Sequence, residues 1–417
     1  MRSAGLQRSS AARIGGAAVA MLIVAEVAVL LLSPSEEPPE PVPVAESDYF
    51  SQAELARADN YRSGQRWLLL AGLAVEGAVL VWVAFGRPAA VRRGLDRLGR
   101  RPVLGAAAAG AGVSLLTTIA TLPVSLISHE RSVDVGLSTQ SLGSWFWDVA
   151  RNAGITAVLT AGGAALLMAL VRRFPRAWPV PGAVVVSGLA VVFVWIGPVV
   201  LAPIYNKFEP LPDSSRARAD VLELGHEAGV DIGQVYRIDA SRRSTALNAY
   251  VDGIGSTKRV VLYDNLLKRA ARSELRSIVA HELGHVAHDD VPRGILYVVL
   301  VTPLGLVFAR ELVLAITRRS GADPASPAAI PAYLLALAFT ALILNVPGNQ
   351  LSREVEASAD GFALELTHDP EALIKVQRQL ARTNLSDPDP PGLYSWLFGT
   401  HPSTVDRIGA ALAYERE

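Results

Sequence analysis

Seven long apolar runs punctuate the chain, at 14–32, 67–85, 103–127, 153–171, 182–204, 293–316 and 329–347. Each is rich in Leu, Val and Ala. Each approaches the roughly 20 residues that an α-helix needs to cross the hydrocarbon of a bilayer. Pro123, Pro198 and Pro303 lie inside them, as membrane helices tolerate. The pattern predicts a polytopic helical bundle of about seven spans. The first run follows Arg2, Arg8 and Arg13, which is also how a signal peptide begins. Its length, and the lack of a small-residue cleavage site at Ser33-Pro34-Ser35-Glu36, predict an uncleaved anchor. Residues 33–48 are rich in Pro and Glu and read as extended linker.

Two stretches do not fit a bilayer. Residues 205–292 and 348–417 carry mixed charges, turns and amphipathic segments. The last two spans between them form a hairpin, so both polar blocks return to one face of the membrane. We therefore expect a membrane region over 1–204, a first extramembrane block over 205–292, a transmembrane hairpin over 293–347 and a second extramembrane block over 348–417. Within the first block, 214–229 reads as a helix and 234–240, 245–251 and 258–263 as strands. Asp252-Gly253-Ile254-Gly255 reads as the turn between the last two. Ser273 is the expected N-cap of a helix through about 288, and 349–366 is expected to be helical. The predicted fold class is mainly α: a polytopic membrane helical bundle with an extramembrane domain carrying a small antiparallel β-sheet.

Composition narrows the chemistry. Charged residues make up 19% of the chain, and Lys+Arg balance Asp+Glu at 39 each, so there is no basic field for nucleic acid. There is no cysteine, which excludes a disulfide-linked partner, thiolate metal sites and a cysteine nucleophile. Any metal must be held by His, Asp or Glu.

The sharpest motif is His281-Glu282-Leu283-Gly284-His285. On a helix, residues four apart share a face, so both imidazoles can reach one ion. Neutral imidazoles at this spacing suit zinc, and Glu282 beside them can act as general base toward water. A catalytic zinc takes three protein ligands and keeps one position open. Glu354, Glu356 and Asp360 are the candidate carboxylates in the second block. Glu356 and Asp360 share a helix face, so one can ligate while the other hydrogen-bonds a ligand imidazole. The hairpin brings this segment toward His281 and His285.

At these residues the chain resembles the integral-membrane zinc metallopeptidases typified by the type I CaaX prenyl endopeptidase and HtpX-like proteases. Arg243-Ser244 followed by Asn248-Ala249-Tyr250 is similar to the family's R-S-x-x-x-N-A-Y segment. The run Lys258 to Asp264, the run Pro203 to Leu211, Ser352-Arg353…Glu356…Ala359-Asp360, and His401-Pro402…Arg407 also follow family patterns. Seven spans agree with the prenyl endopeptidase branch. The resemblance implies His281, His285 and Glu356 as ligands of one Zn²⁺ per chain, and Glu282 as general base. It implies Asp360 as the group orienting a ligand His. It implies Asn248, Ala249 and Tyr250 as an edge strand that pairs with an extended peptide or protein substrate. It puts His401 and Arg407 beside the scissile carbonyl. The family often has a polar residue or His five positions after the second ligand His; here that residue is Asp290. His288 is expected to be a helix-end residue and not a ligand. A water-filled chamber, as the resemblance suggests, would accommodate Glu26 and Glu76 inside their spans.

Arginines cluster at 86–102, at 172–180 and at Arg318-Arg319, whereas 33–66 is net acidic. By the positive-inside rule, the N-terminus is expected inside and the catalytic domain outside. The expected function is a membrane-embedded, zinc-dependent endopeptidase acting at the lipid bilayer on membrane-associated or extended protein substrates. The rival reading is a non-proteolytic, chaperone-like zinc protein, for which an intact Glu282 has no use.

Overall fold

The computed structural model describes residues 2–35, 38–86, 93–94, 97, 99–253 and 258–416, the first eight of them by backbone only. The predicted turn at 252–255 and the arginine cluster of 86–102 therefore fall partly outside the described residues. The N-terminal half consists of α1 (Arg2–Leu32), α2 (Gln52–Val81), α3 (Pro102–Asp134), α4 (Leu142–Arg173) and α5 (Pro179–Ile196). The longer extramembrane helices α6 (Arg216–Glu227) and α7 (Arg272–Ala287) follow. Then come α8 (Asp290–Ser320), α9 (Ile330–Thr367), α10 (Pro370–Asn384) and α11 (Thr404–Tyr414). Among the described residues seven helices are long and apolar enough to cross a membrane, and they contain the seven predicted runs. The protein is a multi-pass membrane protein.

Two of these helices continue well past their apolar runs into polar sequence. α2 starts at Ser51, whose hydroxyl and the Glu54 carboxylate cap each other's backbone N–H groups. Its polar first half is fastened to the second polar block. Arg66 pairs with Asp387 at 2.6 Å, and the Arg62 guanidinium donates to the carbonyls of Asn384 and Leu385. α9 is one helix of 38 residues, where the sequence reading separated a span from a following helix. Pro347 inside it removes one backbone hydrogen bond without ending it. The extended linker lies on the same block. Val42 N–H donates to the Gly409 carbonyl, and Phe50 is buried with Ala381 and Ile408. Segment 33–66 thus shares a side with both polar blocks, as the four spans between it and the first block require.

The sheet corrects one expectation: it is mixed, not antiparallel. Its strands are β1 (Phe208–Pro210), β2 (Gln234–Ile238), β3 (Ala249–Asp252) and β4 (Arg259–Tyr263), in the order β1-β2-β4-β3. After β2 the chain crosses to the far edge as β3. It then returns antiparallel as β4 into the centre, where β4 runs parallel to β2. Val260, Val261 and Leu262 are fully buried, which suits a central strand. β1, three residues ending in Pro210, was not foreseen; so short a strand leaves no alternation to read. α7 packs on the sheet through Leu275, Ile278, Val279 and Leu283, against Val235, Leu247, Ala249, Val260 and Leu262. Its N-cap is Ala271, whose N–H is taken by the Glu274 carboxylate at 2.7 Å, and not Ser273.

Candidate metal centre

Gly284 sets the distance between the two helices that build the site. A Cβ there would stand 3.2 Å from the Ala359 backbone and 3.3 Å from the Phe362 side chain. Glycine lets α7 lie close against α9, and this brings His281 and His285 to Glu356. His281 Nε2 is 3.3 Å from one Glu356 oxygen, and His285 Nε2 is 3.7 Å from the other. One donor atom from each of the three residues lies within 4.8 Å of the others.

Each imidazole is held from behind. His281 Nδ1 is 2.9 Å from Asp360 Oδ1, and His285 Nδ1 is 2.9 Å from Asp290 Oδ2. A carboxylate at Nδ1 keeps the proton there and leaves Nε2 free to bind an ion. Asp360 is fixed in turn by Arg407, whose Nε and Nη2 donate to its two oxygens at 2.6 Å each. This fork turns Arg407 toward the back of His281. The resemblance had put it beside the substrate carbonyl, whereas the structure commits two of its nitrogens to Asp360. His401, its side chain 56% exposed, puts Nε2 3.3 Å from Glu356 Oε1 on the open side.

The donor set fits a zinc ion. Two imidazole Nε2 atoms and a carboxylate make a three-ligand set with one open position. Glu356 Oε2 is buried and receives no hydrogen bond. Burial alone would depress the His281 imidazolium, but Asp360 and Glu356 outweigh it and hold its pKa up at about 10. A dication among these carboxylates answers the same negative field and leaves the imidazoles neutral. Burial also pushes the Glu282 carboxyl above its ordinary value, while the two histidines pull it back.

Asn248 is exposed, Ala249 is buried and Tyr250 is half-buried. Among the described residues β3 is the edge strand, paired with β4 and with no other strand, and α7 packs beside it. The predicted strand 245–251 is trimmed at its start. Thr245 instead pairs with the α3–α4 loop, where its N–H donates to the Leu137 carbonyl at 3.0 Å. Asn384 brackets Leu247 from α10, accepting from its N–H and donating to its carbonyl.

Residues 213–415 match peptidase family M48, and residues 35–207 match the CAAX prenyl protease N-terminal region of five membrane helices. The uncharacterized metalloprotease YhfN of Bacillus subtilis is 30% identical over 379 residues, 89% of each chain. The chain belongs to peptidase family M48. A CAAX prenyl protease 1 homolog of Arabidopsis thaliana is 28% identical, over 76% of each chain. The crystal structure of S. mikatae Ste24p superposes with a TM-score of 0.76, covering 96% of this chain and 98% of that one. At 19% identity, that likeness is one of fold.

As an M48 member the chain is a membrane metalloprotease, and a metal, typically zinc, goes with that family. Several supporting residues were invisible or unweighed in the sequence. Asp290 stood out only as a departure from a family pattern, yet it clamps His285. Gly284 lies inside the motif but carries no chemistry of its own. His288 lies outside the donor group, with Nδ1 3.1 Å from Ser358 Oγ. Glu354 turns away from the site and accepts from the Ser33 hydroxyl.

Proposed function

We propose that this metalloprotease is a zinc endopeptidase. It hydrolyses peptide bonds of membrane-associated or extended protein substrates, with Zn²⁺ on His281, His285 and Glu356 and with Glu282 as general base. The observation that carries this reading is the convergence of three donor atoms within 4.8 Å beside Glu282. When bound, the zinc supplies Lewis acidity to the substrate carbonyl and lowers the pKa of water at the open position. Glu282 removes the proton from the attacking water and passes it to the leaving amine. Burial, which raises its pKa, makes the carboxylate a better proton acceptor than an exposed one.

Asp360 and Asp290 keep both ligand imidazoles in one tautomer and orientation. Arg407 acts through Asp360 as a positioning residue. His401, on the open side, is the donor for the developing oxyanion. The free edge of β3, entered through Asn248, Ala249 and Tyr250, adds a main-chain ladder to an extended substrate. Such pairing gives affinity with little demand on sequence.

Glu282→Gln separates chemistry from binding. The variant is expected to keep its metal and to lose peptide hydrolysis by about 10²–10⁴-fold, the usual weight of a general base. Near wild-type turnover would overturn the mechanism and favour a zinc protein that binds without cutting.

A further inference from the structure

α4 and α5 are consecutive and yet scarcely touch. Between them lies a cleft of about 420 Å³. Leu159 to Leu170 of α4 form one wall, and Trp178 with α5 as far as Leu189 forms the other, with Leu306 of α8 and Tyr333 of α9 at the back. The lining is aliphatic and aromatic apart from the hydroxyls of Thr160 and Tyr333, and Tyr333 spends its hydroxyl on the Pro324 carbonyl. Each wall spans twelve residues, or ~17 Å of helix. That is about half of the ~30 Å hydrocarbon layer. The cleft is one leaflet deep.

Its end nearest the α4–α5 loop is basic. Arg172 and Arg173 close the last turn of α4, Arg176 follows in the loop, and all three are exposed. The segment 172–180 contains no acid. Arg172 donates to the Ala325 carbonyl, so the α8–α9 turn lies at the same end. The exposed Arg318 and Arg319 of the last turn of α8 sit there too. Basic residues around a gap between membrane helices attract anionic headgroups.

We infer that the cleft holds one acyl chain of an anionic phospholipid from the leaflet at this end, with its phosphate among Arg172, Arg173 and Arg176. A neutral lipid would fill the same space without using the arginines. The depth of the walls matches one chain of that leaflet, and the charge selects its headgroup. Bound there, the lipid supplies the packing that α4 and α5 do not supply to each other.

Native mass spectrometry of the full chain in mild detergent, titrated with phosphatidylglycerol or phosphatidylcholine, tests this. Wild type is expected to bind one phosphatidylglycerol per chain, at least tenfold more tightly than phosphatidylcholine. A Cβ on Gly163, which lines the cleft, meets nothing within 4 Å, so Gly163→Leu extends into that space. This variant should lose at least tenfold in phosphatidylglycerol affinity. Leu189→Trp, on the opposite wall, repeats the test should Gly163→Leu fail to fold. The triple change Arg172→Gln, Arg173→Gln, Arg176→Gln should abolish the preference between the two lipids. Three results would overturn the inference: no lipid bound by wild type, equal affinity for both lipids, or undiminished phosphatidylglycerol binding in folded Gly163→Leu and Leu189→Trp.

Discussion

The catalytic blocks and the membrane bundle use helices in opposite ways. Around the metal centre both ligand imidazoles have a second contact behind them: Asp360, itself held by Arg407, behind His281, and Asp290 behind His285. The bundle relies on small residues and close backbones. A Cβ on Gly110 of α3 would stand 2.8 Å from the Ala164 Cβ and 2.9 Å from the Thr160 carbonyl of α4. Elsewhere the bundle is loose, and the apolar stretch of α5 is left unburied by the rest of the chain. The contrast follows from solvent. In lipid there is little hydrophobic drive between helices, so contact comes from small residues and gaps are left for lipid. In the polar blocks, water drives a core together and buried charges must be paired.

The largest break of this comparison is expected at Asp360. Asp360→Asn leaves the Arg407 guanidinium buried without its countercharge, and losing one partner of a buried pair costs about 3–5 kcal/mol. Asp290→Asn removes the corresponding clamp on His285. Both changes should weaken zinc by about 10–100-fold, as loss of an orienting carboxylate does. Only Asp360→Asn should also lower the unfolding midpoint strongly. Thermal unfolding run beside a zinc-competition titration checks this; equal midpoints would show that the Arg407 fork carries little stability.

A pair of glycine substitutions sharpens the contrast. Gly110→Ala and Gly284→Ala both insert a methyl where two helices touch, at an overpacking cost of about 1–3 kcal/mol. In the bundle the effect should stop at stability. At the metal centre the same methyl pushes α7 from α9 and misaligns His281 and His285 with Glu356. Misplacement of about 1 Å can cost about 10²-fold in rate. Peptide turnover of both variants at a temperature where both are folded distinguishes the two. Comparable loss in each would mean that the site tolerates shifts between its helices.

The smallest effect is expected far from the metal. The buried Asp220 carboxylate takes a forked pair from Arg272, which holds its pKa below the ordinary aspartate range although burial opposes it. A depressed folded value stabilises above the unfolded pKa and is lost as pH falls through the folded one. Asp220→Asn should therefore be less stable than wild type near neutrality, and the two should converge in strong acid. A stability difference independent of pH would remove the pair from the account.

The seven spans were legible because each is a continuous apolar run, and a run is a local property. His281, Glu282 and His285 were legible because one helical turn fixes their spacing. Glu356 needed the hairpin argument and the family likeness to be chosen over Glu354 and Asp360. What escaped the sequence depends on contacts between distant segments. The fork from Arg407 to Asp360 joins residues 47 positions apart. The close approach at Gly284 depends on Ala359 and Phe362 of another helix. The parallel pairing of β2 with β4 follows from where β3 crosses, which no alternation in either strand records.

The identity of the metal ligands decides whether the proposed chemistry holds. Metal analysis of the full-length protein, purified as wild type and as His281→Ala with His285→Ala, tests it most directly. One zinc per chain in wild type and none in the folded double variant is the predicted result. One zinc per chain bound with undiminished affinity by the double variant would contradict it.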